Sequence, residues 1–182
     1  MEHEAIYDIL NQVESISNLE ANDIPALDLY MDQIMTLFDV HLANNKRHPE
    51  DKLLTKTMIN NYSKEGLLKP IKGKKYSKDH ILQMLFIYSL KNTISIQEIK
   101  KVLQPYHDQT EKIEPIYTHF LETKKEISHY VKRTTEDFIE KHHLRFDDPD
   151  QLTIALLLVC TLSNEYKMIA EKILDTYYQE DK

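Results

Sequence analysis

Apolar residues recur every three or four positions along most of the chain, which predicts helices rather than strands. Ile6, Ile9, Leu10 and Val13 mark a first amphipathic helix. A second opens near Asp23 and Pro25 and gathers Leu27, Tyr30, Met31, Ile34, Leu37 and Phe38 on one face. Polar residues 44–52 then read as a loop. A third, short helix starts after Thr55, a good N-cap, and stops at Gly66, which can take the left-handed turn that closes a helix. Pro70 and the lysine-flanked Gly73 suit two short extended strands around a turn. Ser77 opens a fourth helix; its Ile81, Leu82, Met84, Leu85, Phe86, Ile87 and Leu90 leave little polar face, so it belongs in a core. Ser95 and Glu98 form a capping box for a fifth helix that stops before Pro105. A long helix follows from about Pro115 to His143, and Asp148 with Pro149 begins the last. Its run from Leu152 to Leu162 reads as a helix buried on all sides. The fold class is therefore all-α, with one small β element.

Composition narrows this picture. Two glycines and six prolines in 182 residues leave little room for tight hairpins. The single cysteine, Cys160, excludes an internal disulfide and fits a reducing cytoplasm. It sits in an apolar helix, where a free thiol behaves as a small hydrophobe. The N-terminus lacks the basic-then-apolar order of a secretory signal, and the Leu152–Leu162 run falls short of the ~20 residues that span a bilayer. A cytoplasmic protein without a membrane partner is expected. Nine histidines fall at no metal-site spacing, and the sequence holds neither a phosphate-cradling glycine loop nor a nucleophile elbow. No metal, cofactor or enzymatic activity is expected.

Charge changes the picture more. The chain carries a net −7, yet Lys46 to Lys101 holds 13 basic and 5 acidic residues. Within it, Thr55 to Ser77 carries six lysines against one acid and both glycines of the chain. On a helix, Thr57, Asn60, Asn61 and Lys64 share one polar face, while Met58, Ile59 and Tyr62 share the other. An amide-rich face of this size suits the DNA major groove: Asn can pair bidentately with adenine, and Thr and Lys supply base or phosphate contacts. Lys56 sits in the first helical turn, where the helix dipole disfavours a cation unless a phosphate is near. Lys72, Lys74 and Lys75 around Gly73 put positive charge on a tip.

The segment MINNYSKEGLLKP…KKYSKDHILQMLFIYSLKNTISIQEIKKVL resembles the DNA-binding domain of MerR-type transcription regulators. That family has a recognition helix ending in Arg-Tyr-Tyr-Glu, then Gly-Leu-Leu, a wing closing on Arg-x-Tyr, and two further helices. Asn60, Asn61, Tyr62 and Ser63 lie at the first four positions, Gly66, Leu67 and Leu68 match directly, and Lys74 and Tyr76 take the wing's Arg and Tyr. Both Asn substitutions, and a turn one residue shorter before Ser95, depart from the pattern. A broader resemblance, carried by DLYMDQI, LTKTMINNYSKEGLL and KKYSKDHI, is to the bacterial family called domain of unknown function 1836.

The resemblances imply three regions: an N-terminal helix (1–22), a MerR-like winged helix-turn-helix (23–105), and a C-terminal helical region (106–182) expected to dimerise. The expected function is a sequence-specific DNA-binding transcription regulator. The alternative is a non-catalytic adaptor whose winged fold binds protein or RNA. The DNA-binding residues are expected to be Lys56, Thr57, Asn60, Asn61, Lys64, Lys72, Lys74, Lys75 and Tyr76. Tyr117, Phe120, Lys124, Ile127, Val131, Thr134 and Phe138 have the spacing of a coiled-coil seam, which serves either a homodimer or packing inside the subunit. Any small-molecule effector would sit between the last two helices.

Overall fold

The computed structural model describes residues 2–179, with side chains from Ala5 onward. Among these residues it forms seven α-helices and one two-stranded antiparallel sheet. In chain order these are α1 (Glu2–Glu14), β1 (Leu29–Tyr30), α2 (Met31–His41), α3 (Lys56–Lys64), β2 (Lys75–Tyr76), α4 (Lys78–Leu90), α5 (Ile96–Leu103), α6 (Ile113–Lys141) and α7 (Pro149–Tyr177).

The helix ends follow local chemistry. Thr55 Oγ1 accepts the Met58 N–H at 3.1 Å to cap α3, and Ser95 and Glu98 exchange the reciprocal bonds of a capping box at α5. Gly66 closes α3 with φ +71°: its N–H donates to the Ser63 carbonyl and the Leu67 N–H to the Tyr62 carbonyl. These two bonds make a Schellman motif, and buried Leu67 lands beside Tyr62 as that motif favours. Asp148 caps α7 by accepting the N–H groups of Asp150 and Gln151.

α4 is the core helix, with residues His80 to Leu85 and Ile87 all buried. Around it pack Ile34 and Phe38 of α2, Ile59 and Tyr62 of α3, Ile99 and Leu103 of α5, and Ile113, Tyr117 and Leu121 of α6. This core continues past Pro105 into the first turns of α6. Lys78 Nζ reaches Glu114 Oε1 at 2.7 Å, and the buried Tyr117 hydroxyl donates to the Leu19 carbonyl at 2.9 Å. A second small core joins Leu10, Ile139, Leu144 and Ala155 where α1, α6 and α7 meet.

After Gly66 the two extended pieces are minimal: Lys72 and Lys75 make a single antiparallel bridge across Gly73 and Lys74, and Lys75–Tyr76 also pairs with β1, in the register Leu29 with Tyr76 and Tyr30 with Lys75. The Lys69 backbone is held by Gln83 and His80 of α4, and the Leu67 carbonyl lies 3.0 Å from His107 Nε2. The run Leu152–Leu162 is not buried on all sides. Among the 29 residues of α7 only Ala155 and Leu174 are buried, because one side of the helix meets the rest of the chain and no second layer covers the others. Cys160 is exposed for the same reason. The seam on α6 divides: Tyr117 and Phe120 face the chain's own core and Lys124 Nζ bonds Asn18 Oδ1 at 2.7 Å, while Ile127 and Val131 are exposed.

Candidate nucleic-acid interface

α3 stands with Ile59 and Tyr62 turned into the core, and that orientation leaves Lys56, Thr57, Asn60, Asn61 and Lys64 all exposed. The helix is short, so its two ends set its direction: the Thr55 cap at the start and the Gly66 motif at the close. No acidic side chain lies within α3 itself; Glu65 follows it and accepts from Gln97 Nε2 at 3.4 Å.

The lysine tip is a tight turn. Gly73 and Lys74 both have positive φ, +61° and +60°, and the Lys75 N–H donates to the Lys72 carbonyl at 3.2 Å. Two consecutive positive φ values across a four-residue turn define type I′, whose twist suits a sharp reversal. Lys74 adopts this conformation without being glycine, so its side chain is held out at the apex. Lys72, Lys74 and Lys75 are exposed. Tyr76 is placed differently: it is 4% exposed and its ring packs edge-on against His80 at 5.9 Å, supporting the tip from beneath.

Two polar residues of α4, neither singled out by the sequence reading, hold the segment between α3 and the tip. Gln83 Oε1 accepts the Lys69 N–H at 3.1 Å, and His80 Nε2 lies 3.2 Å from the Lys69 carbonyl. His80 Nδ1 accepts the Ser77 N–H at 3.0 Å, which leaves the proton on Nε2 to reach that carbonyl. Burial holds the His80 pKa below its usual value, and the Lys69 ammonium adds to this. Lys69 itself is paired with Asp79. Lone His and Gln in an apolar helix carry no distinctive sequence signal, and only the fold brings them to one peptide.

The N-terminal end of α2 joins the two basic elements. Lys56 Nζ lies 2.7 Å from Asp32 Oδ1, and Lys75 Nζ lies 5.4 Å from the centre of the Tyr30 ring. Tyr30 and Asp32 are two residues apart, so the start of α3 and the tip stand on one side of the fold. Together they make a surface with exposed amides on a helix and ammonium groups at both margins.

A separate apolar groove of about 300 Å³ lies between α1, α6 and α7, lined by residues such as Ile9, Phe138, Phe146, Leu152 and Leu162. It is the space where the sequence reading placed an effector, and it offers no charged side chain. α7 is also long and apolar enough, by length and composition alone, to cross a membrane.

No curated protein and no solved structure matches the chain. The family described as "Domain of unknown function (DUF1836)" matches residues 19–122. That span begins at Leu19, whose carbonyl accepts the Tyr117 hydroxyl, and ends one residue beyond the buried Leu121. It therefore covers α3, the lysine tip and all of the main core but Leu174, and omits most of α6 and all of α7. The match extends over more than half of the sequence, and the chain belongs to the domain of unknown function 1836 family.

Proposed function

We propose that this chain is a sequence-specific DNA-binding transcription regulator of MerR-like type, acting as a cytoplasmic homodimer. The observation that carries this reading is the face of α3. Lys56, Thr57, Asn60, Asn61 and Lys64 are all exposed on a helix whose opposite side is buried. Asn60 and Asn61 present amides able to read base edges, and the exposed lysines of the tip are placed to hold the flanking phosphates. One short helix reaches only a few base pairs, so pairing of two copies on half-sites supplies the specificity a regulator requires.

The test is an electrophoretic shift with random duplex over a salt series, followed by recovery of bound genomic fragments. Binding through lysines releases counterions, so affinity should fall steeply as salt rises. Recovered fragments should share a motif. An affinity for duplex that salt does not change, with no enriched motif, would overturn the reading and favour a protein- or RNA-binding adaptor.

A further inference from the structure

Eleven exposed large hydrophobic side chains lie on α7, whereas a monomer rarely exposes a contiguous apolar patch above a few hundred Å². Their spacing is ordered. Leu152, Ala155, Val159, Leu162, Tyr166, Ile169 and Ile173 follow one another in alternating steps of three and four, and every one is apolar. All but Ala155 are exposed. This is an uninterrupted coiled-coil seam over three heptads. The helix meets its own chain at Leu174 and at Ala155, and Leu152, Val159 and Leu162 border the groove beside α1 and α6, while Tyr166, Ile169 and Ile173 continue the seam as exposed side chains.

We propose that this seam is the surface through which two copies of the chain pair, with their α7 helices antiparallel. The inference deepens the homodimer part of the proposed function, and it does not depend on DNA being the partner of α3.

Charge selects both the occupant and its direction. One flank of the seam carries Glu165 and Lys172, seven residues apart; the other carries Leu156, Ser163, Ala170 and Tyr177, without charge. Antiparallel helices bring like flanks together. With the two-fold axis near residue 168, each Glu165 meets the Lys172 of the other copy. Parallel helices would set the charged flank against the uncharged one and leave both ions unpaired. In the antiparallel register Tyr177, 78% exposed, comes opposite Val159, at the edge of the apolar groove. The second copy thereby reaches the Val159 edge of the groove.

Size agrees with a second copy. In this register residues 159–177 of the two helices overlap over about 28 Å, and their exposed apolar side chains supply much of the ~800 Å² per partner of a standard interface. A bilayer fits less well. Asp150 and Glu165 confine the uncharged stretch to about 21 Å, short of the ~30 Å of a hydrocarbon core, and Lys167, Glu171, Lys172 and Asp175 follow it.

Sedimentation velocity of the full chain at micromolar concentration tests the proposal, with circular dichroism confirming helicity. The wild type should sediment as a dimer. Ile169→Asp should weaken the dimer at least ~100-fold by placing a charge in the seam; if that variant loses helicity, Tyr166→Lys takes its place. Glu165→Lys should weaken the dimer roughly tenfold, and adding Lys172→Glu should restore it. A wild-type monomer, or a dimer indifferent to Ile169→Asp, overturns the interface. Failure of Lys172→Glu to rescue overturns the antiparallel arrangement. Pelleting of the wild type with phosphatidylcholine vesicles, lost in Ile169→Asp, would show a bilayer to be the occupant and also overturn it. A monomer that still shifts duplex DNA would sink the dimer alone; a dimer that ignores duplex would sink the DNA reading alone.

Discussion

Lys56 Nζ lies 2.7 Å from Asp32 Oδ1, an ion pair in which both side chains are exposed. Asp32 thus neutralises the first basic group of the α3 face from the start of α2. A phosphate approaching α3 has to draw Lys56 away from this carboxylate. Asp32→Asn should therefore tighten binding to duplex DNA and steepen the salt dependence by about one unit of slope. Thermal stability should hardly change, since an exposed pair contributes only ~0–1 kcal/mol. Unchanged or weaker DNA affinity in this variant would place Lys56 outside the interface.

The amides and the tip lysines should fail differently. Asn60→Ala or Asn61→Ala is expected to cost about 1–3 kcal/mol of discrimination between sites while random duplex still binds. Lys74→Ala with Lys75→Ala should weaken every sequence alike and flatten the salt slope. Competition binding with specific and random duplexes separates the two; identical behaviour would contradict the assignment of readers and clamps.

Gly66 has φ +71°, and a Cβ built there would stand 3.5 Å from Lys100 Nζ, an ordinary contact. The cost of Gly66→Ala is then backbone strain rather than a clash, about 1–2 kcal/mol. Urea unfolding should show this loss with an unchanged m-value. Gly73→Asn, at the open apex where φ is +61°, should cost less because Asn tolerates the left-handed region.

His80 should make stability sensitive to acid. Its folded pKa is lowered, chiefly by burial, so the folded chain resists a proton that the unfolded chain accepts near pH 6.5. The stabilisation is complete above about pH 6.5 and is lost as pH falls from there through the folded pKa. His80→Gln should flatten that part of the pH–stability curve. Because the added proton falls on Nδ1, which accepts the Ser77 N–H, hydrogen exchange at Ser77 should also rise on acidification once the intrinsic rate is corrected. An equally steep curve in the variant would assign the acid sensitivity to other groups.

Much of the fold was legible from pattern alone. Thr55, Gly66, Ser95 and Asp148 punctuate helices through bonds to their own neighbours, so local sequence carries the information. The even apolar surround of α4 foretold its central place, and the alternation of Ile59 and Tyr62 with Asn60 and Asn61 foretold which face of α3 would be open.

Other features depended on contacts between residues far apart in the chain. The pairing of β2 with β1, the Lys56–Asp32 contact and the grip of Gln83 and His80 on Lys69 all join separate segments, which periodicity cannot relate. Tyr76 and the lysines beside it look alike in a motif, yet the fold buries one and exposes the others. α7 shows the limit most clearly. Sequence determined that it is an apolar helix; only the tertiary structure showed most of that surface open. Periodicity states which side chains avoid water, whereas burial depends on which surface comes to meet them.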